Sequence, residues 1–253
     1  MTILITGATG QLGSAVVRHV LARTDEQVVV SVRDPKKFTT EGVEVRQGDF
    51  DHPETLDFRG ADKLLIVSAE APDAAARIQQ HENAIAKAVE HGVGHIFYTS
   101  ITDADTSTVG VAVVHKATEE AIRATGIPFT FLRNGMYHEN YLGVLAGDTV
   151  AISTKDGRVA SAARDDFAEA AAVALTTPGH ENAVHELTGS TTWSFPELAG
   201  DRYQDVSDED LVAAGVPAIF VDFFKAIREG VFAEVRPDLE KLLGRPSTPI
   251  KVG

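Results

Sequence analysis

The chain has 253 residues, 43% of them apolar and 24% charged, enough for one large α/β domain and too apolar for disorder to dominate. Its 23 Lys and Arg against 37 Asp and Glu leave a formal charge of -14, so the average surface repels nucleic acid and anionic lipid and holds an anion only at a local cationic patch. With no Cys there is no disulfide frame, thiolate nucleophile or thiolate-bound metal, and any redox chemistry must be borrowed. The start, Met1-Thr2-Ile3-Leu4-Ile5-Thr6-Gly7, carries no signal-peptide pattern, and no stretch approaches roughly 20 apolar residues. The expectation is a cytoplasmic protein with neither nucleic acid nor membrane as partner.

In chain order, β-branched apolar runs at 3–6, 27–32, 43–47, 63–67, 95–98 and 129–133 read as strands, alternating with helical periodicity at 11–23, 74–91 and 113–125. The last helix stops at Gly126-Ile127-Pro128, a C-terminal Gly followed by a residue that cannot continue the turn. A run at 184–187 can extend the sheet. Beyond Gly135 the alternation weakens. Helices are expected at 167–176, N-capped by Asp165-Asp166, at 211–214 behind Asp208-Glu209-Asp210, and at 217–228 and 237–243. The pattern predicts an α/β fold, a Rossmann-type doubly wound parallel sheet formed mainly by residues 1–134, with residues 135–253 mostly a small C-terminal substrate lobe carrying late sheet elements, all as one domain.

The sharpest motif is Gly7-Ala8-Thr9-Gly10-Gln11-Leu12-Gly13, which leaves the first strand and opens the first helix. Glycines at this spacing permit a tight turn and let a pyrophosphate approach the backbone and the helix N-terminus. Thr6, Gly7, Thr9, Gly10, Gln11, Leu12 and Gly13 are therefore candidate dinucleotide contacts. The second strand ends not in an acid but in Arg33, with Asp34-Pro35-Lys36-Lys37 following. A guanidinium supported by Lys37 suits a 2′-phosphate, so NADPH is expected over NADH. Asp49 and Phe50, after the third strand, are candidates for the adenine, with a plain turn as the alternative for Asp49. Ser68 and Ala69, after the fourth, are small enough to allow close approach.

Several strings converge on one family. Ile5-Thr6-Gly7-Ala8-Thr9-Gly10-Gln11-Leu12-Gly13, Val32-Arg33-Asp34-Pro35, Tyr98-Thr99-Ser100 and Leu132-Arg133-Asn134-Gly135-Met136-Tyr137 resemble the NmrA-like branch of the atypical short-chain dehydrogenase/reductases. His138-Glu139-Asn140-Tyr141 and Gly179-His180-Glu181-Asn182 resemble its bacterial NADPH:quinone oxidoreductases and triphenylmethane reductases. The resemblance covers about residues 1–195, and the chain looks shorter than those relatives between Leu198 and Val206. It implies NADPH across the carboxyl edge of the sheet, hydride transfer to a quinone or another flat conjugated acceptor, a nicotinamide lined by residues 133–138, and closure of the site by Lys155-Asp156-Gly157-Arg158 and its neighbours.

The wider superfamily uses a Tyr with a Lys four residues on, which this chain lacks. The matching spacing holds His115 and Glu119, one helical turn apart, so that Glu119 can orient His115 as a proton donor; the alternative is a helix-surface pair. Asn134 can fix the nicotinamide carboxamide, with Gly135 and Met136 beside it, while Tyr137 and Tyr141 offer flat faces to an aromatic substrate or else pack the lobe. Thr99 joins the cofactor contacts, Ser100 lines the cleft, and Trp193 belongs to the lobe core. The nine His show no metal-ligand spacing, and no Gly-x-Ser-x-Gly nucleophile turn follows a strand. The functional expectation is an NAD(P)H-dependent reductase of a small quinone-like substrate, acting as monomer or homodimer. Its rivals are a non-catalytic NADP-binding regulator and a reductase of another acceptor, such as a dye, a nitro compound or an activated ketone.

Overall fold

The structure, a computed structural model, describes residues 1–252. The first half runs β1 (Thr2–Thr6), α1 (Gln11–Leu21), β2 (Gln27–Val32), β3 (Glu44–Gln47), β4 (Lys63–Ile66), α2 (Ala74–Glu90), β5 (His95–Ile101), α3 (Ala112–Ala124) and β6 (Phe129–Asn134). The second runs α4 (Glu139–Leu145), β7 (Val150–Ile152), β8 (Arg158–Val159), α5 (Arg164–Thr176), β9 (Ala183–Leu187), β10 (Trp193–Ser194), α6 (Phe195–Ala199), β11 (Tyr203–Asp205), α7 (Asp208–Ala213), α8 (Ala218–Arg228) and α9 (Asp238–Leu243).

Seven parallel strands form the main sheet in the order β3-β2-β1-β4-β5-β6-β9. Successive side chains leave opposite faces, which is why both faces are apolar. Ile3, Ile5, Val28, Val30, Leu65, Phe97 and Leu132 pack with α1, α5 and α9 on one side. Leu4, Val29, Leu64, Ile66, Ile96, Tyr98 and Phe131 pack with α2 and α3 on the other. Strand order reverses between β1 and β4, and a doubly wound sheet opens its ligand crevice at the carboxyl ends of such a pair.

Most of the chain after β6 builds a separate core around Tyr141, Trp193, Phe195, Phe224 and Ile227, edged by the two-stranded pairs β10-β8 and β11-β7. The chain nevertheless returns to the main sheet three times, as α5, β9 and α9. Two helix starts differ from the sequence expectation. Asp165 and Asp166 do not cap α5 but lie inside its first turn; the Arg164 amide donates instead to the Glu139 carboxylate of α4, at 3.1 and 3.0 Å. Likewise α7 begins at Asp208, capped by Ser207, whose hydroxyl receives the Asp210 amide.

Among the described residues no helix is long and apolar enough to cross a membrane, and no group of three His, Cys, Asp or Glu could hold a metal.

Candidate active site

The glycine turn lies on the β1 side of the crevice. Gly7 has φ +63°, Gly10 N–H donates to the Gly7 carbonyl at 2.9 Å, and a Cβ on Gly13 would stand 2.3 Å from that same oxygen. The positive φ at Gly7 and the close approach at Gly13 disfavour any side chain, so the turn closes tightly and brings the N-terminus of α1 against its strand. Thr9, Gly10 and Gln11 are exposed and Leu12 is half-buried. The result is a bare backbone cradle that a pyrophosphate fits.

Arg33 follows β2 and is exposed, without an ion pair among the described residues. Asp34, the neighbouring acid that could oppose an anion, is occupied: one oxygen accepts the Lys36 amide at 3.1 Å and the other lies 3.8 Å from Lys37. Asp49 is a turn former, since its carboxylate accepts the Asp51 amide at 3.1 Å while its own amide donates to Thr55 at 2.9 Å. Phe50 is half-buried, and its carbonyl is tied to α2 by Asn83 at 2.8 Å.

The hydroxyls of Thr6 and Thr99 both hold backbone amides after β4. Thr6 Oγ1 receives the Val67 amide at 3.0 Å and donates to the Leu65 carbonyl at 3.2 Å. Thr99 Oγ1 receives the Ser68 amide at 2.9 Å. Both brace the segment after β4. Ser68 also accepts from Arg77 Nη2 at 2.6 Å, and the Ala69 amide donates to His81 Nε2 at 3.0 Å.

At the end of β6 the Asn134 side chain is 6% exposed. Its Nδ2 donates to the Tyr137 hydroxyl at 3.1 Å while Oδ1 has no partner. Whichever way the amide is turned, one end stays free, which fits the carboxamide of a nicotinamide. Gly135 N–H donates to the Leu187 carbonyl at 2.7 Å, and the Met136 carbonyl accepts the Ala162 amide at 3.1 Å. Tyr137 is half-buried, with Phe167 edge-on at 5.1 Å and the Arg164 guanidinium 5.1 Å over its ring. Burial pushes its phenol up from the ordinary value.

The pairing expected between His115 and Glu119 is not made. His115 Nδ1 is bonded to the Tyr98 hydroxyl at 2.8 Å, while Glu119 receives Ser100 Oγ at 2.6 Å and two nitrogens of Arg133. Arg133, on the neighbouring strand, outcompetes a residue one turn away because a guanidinium forks onto both carboxylate oxygens. Burial, with the nearby Arg77 and His81, pushes His115 down to about 3. Burial also pushes Tyr98 up to about 12, so neither group changes charge near neutrality. Ser100 is 5% exposed and serves Glu119 instead of lining the cleft. Tyr141 is 4% exposed, enclosed edge-on by Trp193 and Phe195 at 5.3 and 5.6 Å, and offers no face to a ligand.

The profile of the NmrA-like family matches residues 1–199. The chain belongs to the NmrA-like family. It is 37% identical to Quinone oxidoreductase 2 of Escherichia coli (strain K12) over 281 residues, spanning 98% of this chain and 96% of that protein. It is 30% identical to the NAD(P)H azoreductase of Xenophilus azovorans, over 97% and 94% of the two chains. The crystal structure of the Citrobacter sp. triphenylmethane reductase complexed with NADP(H) superposes with a TM-score of 0.91 at 39% identity, covering 99% and 97%.

In this NmrA-like protein the lobe is fastened to the crevice by residues that periodicity could not reveal. Trp193 Nε1–H donates to Ser161 Oγ at 2.7 Å, Ser161 is bonded to His138 Nδ1 at 2.8 Å, and His138 Nε2 to the Thr248 carbonyl at 2.8 Å. The carbonyl only accepts, so His138 donates through Nε2 and receives the Ser161 proton at Nδ1. Asp166 holds the same tail, through the Thr248 amide at 2.6 Å and Arg245 at 2.9 Å. The turn 155–158 is tied into the lobe, with Gly157 against the Ile227 carbonyl and Arg158 paired to Glu197 at 2.6 Å. The region that looked short between Leu198 and Val206 still forms a strand, β11, three residues long.

Proposed function

We propose that this protein is an NADPH-dependent reductase that delivers hydride to a quinone or a similarly flat, conjugated acceptor without a flavin. The observation that carries the reaction class is the lack of a proton donor where the superfamily has its Tyr–Lys pair: Arg133 holds the Glu119 carboxylate, and His115 is buried and neutral. An unactivated ketone needs a proton donor at its oxygen. A quinone does not, because the aromatic ring formed on reduction stabilises its oxygens.

The bound dinucleotide supplies the hydride. Gly7, Thr9, Gly10, Gln11, Leu12 and Gly13 seat its diphosphate, Arg33 with Lys37 its 2′-phosphate, and Asn134 its carboxamide. Phe50 and Asp49 border the adenine side, and Ser68, Ala69, Gly135 and Met136 the walls. Tyr137 fixes Asn134 and presents its ring to a planar acceptor. The proton that completes reduction comes from water, so the residues act by holding two flat rings face to face. His115 and Glu119 stay outside the reaction path.

The named activities of the relatives, on quinones, azo compounds and triphenylmethane dyes, support a reductase of conjugated aromatics and leave quinone as the finer choice. The missing acid also suits a regulator that binds NADP without turnover. Following NADPH absorbance with quinones, azo and triphenylmethane dyes and simple ketones decides: quinone-dependent oxidation is expected, dye-only turnover reassigns the acceptor, and no turnover leaves the regulator.

A further inference from the structure

Beyond Ile66 the pairing of β4 with β5 ends, leaving the amides of Val67, Ser68 and Ala69 without strand partners. Each is received by a side chain from a different element: Thr6 of β1 at 3.0 Å, Thr99 of β5 at 2.9 Å and His81 of α2 at 3.0 Å. The Val67 side chain lies 3.1 Å from where a Cβ on Gly7 would be, so this braced segment forms the wall facing the glycine turn. We infer that His81 is a positioning residue for the dinucleotide slot, fixing that wall through Ala69 in concert with Thr6 and Thr99.

The hydrogen-bond directions agree. An amide only donates, so His81 Nε2 is the acceptor and its proton resides on Nδ1. Nδ1 then donates to Thr118 Oγ1 at 2.8 Å, and Thr118 donates to the Val114 carbonyl at 2.8 Å. The wall is thereby tied to α3. His81 is fully buried, and burial first, then the Arg77 charge, lowers its pKa to about 3, which keeps Nε2 free to accept. An imidazole in the buried stripe of α2, beside Ala84, Ile85 and Ala88, is otherwise hard to account for, since burying an unpaired polar group is unfavourable.

The inference rests on the nucleotide reading above, and its test separates the two. In the full chain, NADPH dissociation constants, acceptor KM and kcat, and nucleotide-free amide exchange at 67–69 are compared for wild type, His81→Leu, His81→Gln and Thr99→Val. His81→Leu leaves the Ala69 amide unpaired: its protection should fall and NADPH binding weaken about tenfold, with acceptor KM within about twofold. His81→Gln restores an acceptor at the Nε2 position and should return binding to within about threefold of wild type. Thr99→Val makes the same test at Ser68 should His81→Leu fail to fold. A folded His81→Leu with wild-type affinity, or a loss that Gln does not rescue, overturns the inference. If the wild-type chain itself fails to bind NADPH, the function falls and this inference with it, a result visible before any substitution.

Discussion

Arg133 closes two hydrogen bonds onto Glu119, Nε to Oε1 at 2.9 Å and Nη2 to Oε2 at 2.6 Å, with their side chains 6% and 2% exposed. Glu186 at 2.9 Å and Asp105 at 2.8 Å complete the cluster. Burial opposes the charge of Arg133, but the hydrogen bonds it donates to Glu119, Glu186 and Asp105 override it and raise its pKa. The cluster joins β6, α3 and β9, and under the proposed function it would hold the neighbouring Asn134 in place rather than move protons.

Glu119→Gln should therefore act on stability, by about 3 kcal/mol, because the most buried carboxylate of the cluster loses its charge and its forked contact, leaving Arg133 only Glu186 and the exposed Asp105. For a chain of this size that is a fall of roughly 10 °C in the thermal midpoint. His115→Ala should retain measurable quinone reduction; complete loss with NADPH binding intact would reject a site that works by positioning alone.

The glycine turn permits a paired comparison. A Cβ on Gly13 would stand 2.3 Å from the Gly7 carbonyl oxygen, whereas one on Gly143, inside α4, meets nothing within 4 Å. Gly13→Ala should weaken NADPH binding at least about tenfold or destabilise the fold by about 1–3 kcal/mol through overpacking. Gly143→Ala should leave binding unchanged and stabilise by about 0.5–1 kcal/mol. Equal behaviour of the two variants in titration and melting contradicts the tight-turn account.

Two buried imidazoles make folding weaker in acid. His81 and His115 are pushed down to about 3, chiefly by burial, from an ordinary 6.5. The unfolded chain takes up these protons below pH 6.5 and the folded chain does not until about pH 3. Stability is thus fully present above 6.5 and lost as pH falls toward 3, at up to about 1.4 kcal/mol per pH unit for each histidine. Denaturant melts from pH 8 to 5 should show that decline, and His115→Asn should remove one proton of it; a flat profile contradicts the burial of both groups as neutral rings.

The sheet was legible because alternation along each strand divides Ile3 and Ile5 from Leu4, and Val28 and Val30 from Val29, between two apolar faces. The glycine turn was legible because its spacing is local. The partners of Glu119 were not, since Arg133 lies 14 residues away on the adjoining strand and only the assembled sheet brings the two together. Thr6 and Thr99 lie on the strands expected for them, but whether a hydroxyl meets a ligand or an amide depends on where the segment after β4 runs. His81 carried no sequence signal beyond being one of nine scattered His, because only the assembled fold brings it to Ala69. The lobe strands, two or three residues long, are too short for any periodicity to register.

Under the proposed function the nucleotide seats its diphosphate on the glycine turn and its 2′-phosphate on Arg33. Calorimetric titration of wild type and Arg33→Asp with NADPH and with NADH tests it most directly. Wild type should prefer NADPH, and the substitution should weaken NADPH by about a hundredfold or more while changing NADH far less, since a forked charge-assisted contact becomes a repulsion. Equal losses for the two nucleotides, or no heat on mixing wild type with NADPH, would contradict the account.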